Sequence, residues 1–79
     1  ALATSSIRAE AERRLLHAGV DHVFDAAAYG DEVAESKPSP ALFLLAAERL
    51  GVAPERCIVL EDSHAGVRAG LAAKMQVVM

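Results

Sequence analysis

Three short polar stretches, each close behind an apolar one, hold the residues whose chemistry can be combined: Thr4-Ser5-Ser6, the segment ending in Ser36-Lys37-Pro38, and Glu61-Asp62-Ser63. Hydroxyls and the free amides of a starting helix bind phosphate oxygens, a lysine ammonium neutralises them, and adjacent carboxylates hold Mg²⁺ through hard oxygen ligands. Together they make a phosphoryl-transfer site, where positioning and charge cancellation supply most of the catalysis. Each stretch also has a plainer reading. Thr4 and Ser5 can cap a helix, Lys37 can be a solvated surface charge, and Glu61-Asp62 can be acids that complement a helix dipole.

The elements that must position these residues follow from periodicity. Ala1 to Ala3 reads as the end of a strand, and Thr4-Ser5-Ser6 as the cap of a helix from about Ile7 to Ala18, with Ile7, Ala11, Leu15 and Ala18 on one apolar stripe. Gly19 stops that helix. Ala26 to Tyr29 is a weakly signalled strand, since alanine is a poor strand former. The two prolines of Ser36-Lys37-Pro38-Ser39-Pro40 favour extended backbone until Pro40 opens a helix over Ala41 to Leu50, stopped by Gly51. Cys57 to Leu60 is a continuous apolar run, expected of a parallel strand covered on both faces. A helix from about His64 to Ala73 and a strand from Gln76 complete a βαβαβαβ order. That order predicts an α/β fold with a parallel sheet and helices on both faces, whose ligands bind beyond the carboxyl ends of the strands. Gly66 and Gly70 are expected to let the last helix lie close to the sheet.

Composition narrows the classes. The 79 residues are 53% apolar and 24% charged, a packed globular balance rather than a disordered one. A net charge of -3 leaves no excess of Lys and Arg to displace counterions from a nucleic-acid backbone, so no nucleic-acid partner is expected. No apolar run approaches the roughly 20 residues that span a bilayer, so no membrane partner is expected either. The single cysteine, Cys57, sits in a strand-like run and reads as inert core; one thiol and no disulfide fit a cytoplasmic setting. His17, His22 and His64 share no ligand spacing. The chain starts without Met and ends in the apolar run Gln76-Val77-Val78-Met79, so both ends are expected to be cut from something longer.

Leu2-Ala3-Thr4-Ser5-Ser6, then Ser36-Lys37-Pro38-Ser39-Pro40 with Phe43, then Ile58-Val59-Leu60-Glu61-Asp62-Ser63 with Gly66 and Ala69, resemble the second, third and fourth motifs of the haloacid dehalogenase superfamily, closest to its β-phosphoglucomutase and sugar-phosphate phosphatase branch. The resemblance implies that Thr4 bonds the transferring phosphoryl group, assisted by the Ser5 amide. It implies that Lys37 bridges that group and a nucleophilic aspartate, and that Asp62 holds Mg²⁺, with Glu61 joining directly or through water. It makes residues 1–79 the C-terminal portion of one core domain of Rossmann-like topology, without a cap domain. The family's first motif, an Asp-x-Asp that supplies nucleophile and general acid, has no counterpart here, so the strand that carries it should be missing between those ending at Ala3 and Leu60. The implied activity is Mg²⁺-dependent hydrolysis of a small phosphorylated metabolite through an aspartyl-phosphate in the intact parent, with a phosphomutase as the alternative and the isolated chain inactive. Lys74 stands where the family has glycine.

Two other α/β classes fit less well. A phospho-receiver domain places its acidic pair first and its lysine last, whereas the order here is Thr, Lys, acids, and a dinucleotide-binding domain needs a G-x-G-x-x-G turn that is absent. A non-catalytic structural fragment is the remaining alternative.

Overall fold

The computed structural model, which describes residues 1–79, divides the strands into two parallel pairs. Strand β1 (Leu2–Thr4) pairs with β2 (Ala27–Tyr29), Leu2 opposite Ala27 and Thr4 opposite Tyr29, with helix α1 (Arg8–Ala18) between them in the chain. Strand β3 (Ile58–Leu60) pairs with β4 (Gln76–Val78) around helix α3 (His64–Ala72). Helix α2 (Ala41–Leu50) joins the halves, packing on β1 and β2 and also on α3. The order is the α/β series read from the sequence, with bounds that shift by a residue or so at most ends.

Two small cores hold the helices in place. Phe43, Ala47, Val59, Ala69, Ala73 and Met75 form one; Ala28, Leu42 and Ala46 form the other, and Ala3 packs against both. Small side chains let helix and strand approach closely: a Cβ on Gly70 would lie 2.6 Å from Val77 Cγ2. Gly19 and Gly51 end α1 and α2 in the left-handed conformation, at φ 74° and 69°. Lys74 takes the same conformation, φ 67°, in the turn before β4.

Several local expectations need correction. Thr4, Ser5 and Ser6 do not cap α1; its cap position is Ile7, with no side-chain bond. The Thr4 hydroxyl accepts instead from the Ser6 amide at 3.2 Å, which keeps it inside its own loop, and the Arg8 amide donates to Asp31 Oδ1 at 3.0 Å. Along the expected stripe of α1 only Ala11 is buried, and Ile7 is 53% exposed. The Ser36–Ser39 segment turns rather than running extended, with the Ser39 amide donating to the Ser36 carbonyl at 3.0 Å around a cis Lys37–Pro38 bond. Nor is β3 covered on both faces: Val59 is buried, whereas Ile58 is 63% and Leu60 79% exposed. Ile58 and Leu60 point to one face and Val59 to the other, so one face of β3 is packed and the other open; β3 and β1 also each have a hydrogen-bonded neighbour on one side only. Cys57 is half-buried rather than core.

Between β1 and β3 lies a cleft of about 480 Å³, lined by Leu2 and Ala3 on one side, Ile58 and Val59 on the other, and Phe43 and Ala47 of α2. Thirteen of its 14 lining residues are hydrophobic, so the unpaired strand edges face an apolar slot.

Candidate functional site

The residues after β3 build one corner. Ser63 caps α3, its hydroxyl accepting from the Gly66 amide at 3.0 Å, so the chain between Leu60 and Ser63 must turn tightly at the strand end. That turn is organised around the Glu61 carboxylate. Its Oε1 accepts from the Asp62 amide at 3.0 Å and from the Ser63 amide and hydroxyl, each at 3.2 Å. Its Oε2 accepts from Lys37 Nζ at 3.0 Å, across 24 residues of sequence. Both side chains are largely enclosed, 14% exposed for Lys37 and 12% for Glu61. Burial alone would raise the Glu61 pKa. The Lys37 ammonium and the Ser63 and Asp62 amides outweigh it and hold the carboxyl at about 2, against an ordinary 4.5.

Lys37 is held from a second side. Its ammonium lies 4.9 Å from the centroid of the Phe43 ring, a cation–π contact with the core side chain at the start of α2. An ammonium carries three donors. Glu61 is the one hydrogen-bond partner it has in the chain, so donor capacity remains for a further anion. Asp62 is exposed, and its carboxylate accepts no hydrogen bond and forms no ion pair within the chain.

At the end of β1, half-buried Thr4 and exposed Ser5 share a turn with Ser6. That turn is braced by the backbone after β2: the Gly30 amide donates to the Ser6 carbonyl at 2.8 Å, and a Cβ on Gly30 would collide with the Ser5 carbonyl. Glycine is required there because backbone meets backbone. The structure thus brings Lys37, Glu61 and Asp62 into one corner and sets Thr4 and Ser5 in a second turn at the end of a parallel strand. No hydrogen bond or ion pair links the two turns.

Mg²⁺ takes one or two carboxylates and completes its shell with water and phosphate. The donor set fits that pattern: Asp62 offers a carboxylate with no internal partner, and Glu61 offers one whose oxygens are already engaged. No group of three or more His, Cys, Asp or Glu side chains converges in this chain, so Asp62 and Glu61 are the carboxylates it could offer at this corner.

The sequence pointed to Lys37 and to Glu61 separately but not to their pairing, because nothing in their spacing shows that two strand-end loops meet. The Phe43 platform was within reach, since Phe43 is the aromatic residue that follows Pro40 into the helix. A third cluster was missed entirely. Arg49 makes a two-pronged pair with Glu32, Nη1 to Oε1 at 2.8 Å and Nη2 to Oε2, and donates to the Ala27 carbonyl at 2.6 Å.

Comparisons with known proteins agree with this architecture. The family model for haloacid dehalogenase-like hydrolases matches residues 1–74. The chain is 46% identical over 78 residues to the fructose-1-phosphate phosphatase YqaB of Escherichia coli, covering 99% of this chain and 42% of that protein. It is 43% identical over 76 residues to a phosphorylated carbohydrates phosphatase of Thermotoga maritima, covering 96% of this chain and 35% of that protein. The crystal structure of a β-phosphoglucomutase from Clostridium difficile superposes with a TM-score of 0.85 at 37% identity, over 92% of this chain and 33% of that one. The chain therefore spans well under half the length of these relatives. No helix in it is long and apolar enough to cross a membrane. With its three motifs at the ends of parallel strands and nearly its whole length matched, the chain belongs to the haloacid dehalogenase-like hydrolases.

Proposed function

We propose that residues 1–79 are the C-terminal portion of a hydrolase core that removes phosphate from a small phosphorylated metabolite of the sugar-phosphate class. One observation carries the reading: an enclosed lysine ammonium with donors to spare, fixed by Phe43 and by Glu61, the residue before an aspartate whose carboxylate has no internal partner. That pairing of a free cationic donor with a free hard-oxygen ligand suits a phosphoryl group and its Mg²⁺. The nucleophile is an aspartate outside this chain, on a strand that would occupy the cleft between β1 and β3 and form an aspartyl-phosphate. Lys37 would neutralise the transferring oxygens, while Thr4 through its hydroxyl and Ser5 through its amide would bind the same group from the other strand end.

Asp62, supported by Glu61, would hold Mg²⁺, which supplies charge neutralisation at the phosphoryl oxygens when bound. The similarity to sugar-phosphate phosphatases favours hydrolysis; the similarity to a β-phosphoglucomutase supports a phosphomutase built on the same half-site. A negative net charge and the half-buried free Cys57 support a reducing, cytoplasmic protein without a nucleic-acid partner.

The test is phosphate release by the full-length protein as Mg²⁺ is varied. Asp62→Asn should raise the Mg²⁺ requirement by more than about tenfold and lower the maximal rate, and Glu61→Gln should do so more mildly. An Asp62→Asn protein with wild-type rate and wild-type Mg²⁺ dependence would reduce Asp62 to a helix-start acid.

A further inference from the structure

Gly66 lies in the first turn of α3, buried, at a position where alanine would be the better helix former. Its neighbour Gly70, one turn on, faces the sheet: an added Cβ would lie 2.6 Å from Val77 Cγ2 and 3.4 Å from Val59 Cγ2. Gly66 faces something else. A Cβ there would overlap Cγ, Cδ and Oε2 of Glu61, so the carboxylate lies directly against the glycine Cα. The sequence expectation that both glycines clear the sheet therefore holds for Gly70 and not for Gly66.

Two connections reinforce the contact. The Gly66 amide donates to Ser63 Oγ at 3.0 Å, and that hydroxyl donates in turn to Glu61 Oε1 at 3.2 Å. The oxygen pressed against Gly66, Oε2, is the one that accepts from Lys37. The volume a side chain at residue 66 would occupy is thus the volume from which Glu61 holds the lysine.

We propose that Gly66 is a positioning residue for the reaction: its missing side chain is the seat of the Glu61 carboxylate, and through Glu61 it sets where the Lys37 ammonium stands. This rests on reading the Lys37–Glu61–Asp62 corner as the phosphoryl-transfer site. A side chain at residue 66 meets a carboxylate that can rotate away, so substitution moves Glu61 rather than the helix. At Gly70 the added methyl meets packed valines, and the cost falls on stability.

The experiment compares Gly66→Ala, Gly70→Ala and the double variant Gly66→Ala/Glu61→Asp in the full-length protein. It reads phosphate release from para-nitrophenyl phosphate and fructose 1-phosphate, thermal melting, and crystal structures of wild type and Gly66→Ala. Gly66→Ala should lose on the order of tenfold to a hundredfold in kcat, as expected for a displaced catalytic group, with Tm lowered by no more than in Gly70→Ala. Its crystal structure should show Glu61 Oε2 out of hydrogen-bond reach of Lys37. Shortening the acid by one methylene in the double variant should restore part of the lost kcat. Gly70→Ala should lower Tm and keep kcat per folded molecule.

Wild-type kcat in Gly66→Ala, or an unmoved Glu61–Lys37 pair in its crystal structure, would overturn the proposal. So would a kcat loss that comes with a collapsed Tm and no rescue by Glu61→Asp, because that pattern is ordinary packing damage. If the wild-type protein releases no phosphate from either ester, hydrolysis of such esters fails as the reading, and the crystal structures still decide the seat: an unmoved Glu61–Lys37 pair in Gly66→Ala overturns it.

Discussion

Two ion pairs tie distant parts of this chain together, and they differ in how enclosed they are and in what stands beside them. Arg49 and Glu32 satisfy each other: the guanidinium places two donors on the carboxylate and a further bond on the Ala27 carbonyl, and Glu32 also accepts from the Tyr29 amide at 3.0 Å. This pair locks the turn after β2 onto the last turn of α2, with 37% of the Arg49 side chain exposed. Lys37 and Glu61 form a more enclosed pair, in which the acid also organises the turn after β3. Both carboxyls are held at about 2, so a depressed pKa does not separate the two. Nor does spare donor capacity, since each base keeps two N–H donors without a partner in the chain. What differs is place: Lys37 is enclosed at the end of β3 against the residue that precedes Asp62, whose carboxylate has no internal partner, whereas Arg49 is more open to solvent and spends a bond on the Ala27 carbonyl.

Mutating the bases tests this most directly. Lys37→Ala in the full-length protein should lower the rate of phosphate release by about a hundredfold or more, the scale of losing one donor to a charge-bearing oxygen, while Mg²⁺ still binds. Arg49→Ala should do the reverse, lowering Tm by several degrees and leaving turnover per folded molecule near wild type. Equal losses of turnover from both substitutions would erase the distinction.

Acidification gives a finer comparison. Because the Arg49 guanidinium lowers the Glu32 pKa from 4.5 to about 2, folding gains from this carboxylate fully above pH 4.5, and the gain is lost as pH falls toward 2. Melting curves of the wild type should therefore lose stability through that window more steeply than those of Glu32→Gln. Parallel curves would show that the pair contributes nothing to folding.

The smallest expected effect lies away from both pairs. Lys74 occupies a left-handed conformation that disfavours any side chain, so Lys74→Gly should raise stability by about 1 kcal/mol in chemical denaturation and leave turnover unchanged. A drop in turnover would tie the turn before β4 to the site.

Most elements were legible because they rest on local signals. Gly19 and Gly51 end α1 and α2 in left-handed caps, and the apolar spacing of Leu42 and Ala46 marks the buried face of α2. The motif residues at strand ends were legible as types and in their order. What stayed hidden depends on which loops meet. Asp31 takes the capping role expected of Thr4-Ser5-Ser6 because the turn after β2 comes to rest against the start of α1. Exposure on β3 was misread for the same kind of reason. A run such as Ile58-Val59-Leu60 reports that a strand is suited to burial, and the neighbours that would bury it are set by the rest of the fold.

The apolar slot between β1 and β3 also bears on how residues 1–79 would behave when separated from a strand that fills it. Two strand edges with free donors and acceptors, one of them flanked by the exposed Ile58 and Leu60, form a template onto which any extended segment can add. For residues 1–79 on their own, aggregation then competes with folding, and the outcome depends on whether a strand fills the slot rather than on how stable either half is alone. Substitutions that strengthen α1 or α3 should do little for soluble yield, whereas a charge at Ile58 or Leu60 would blunt the open edge at the cost of the contacts that close it.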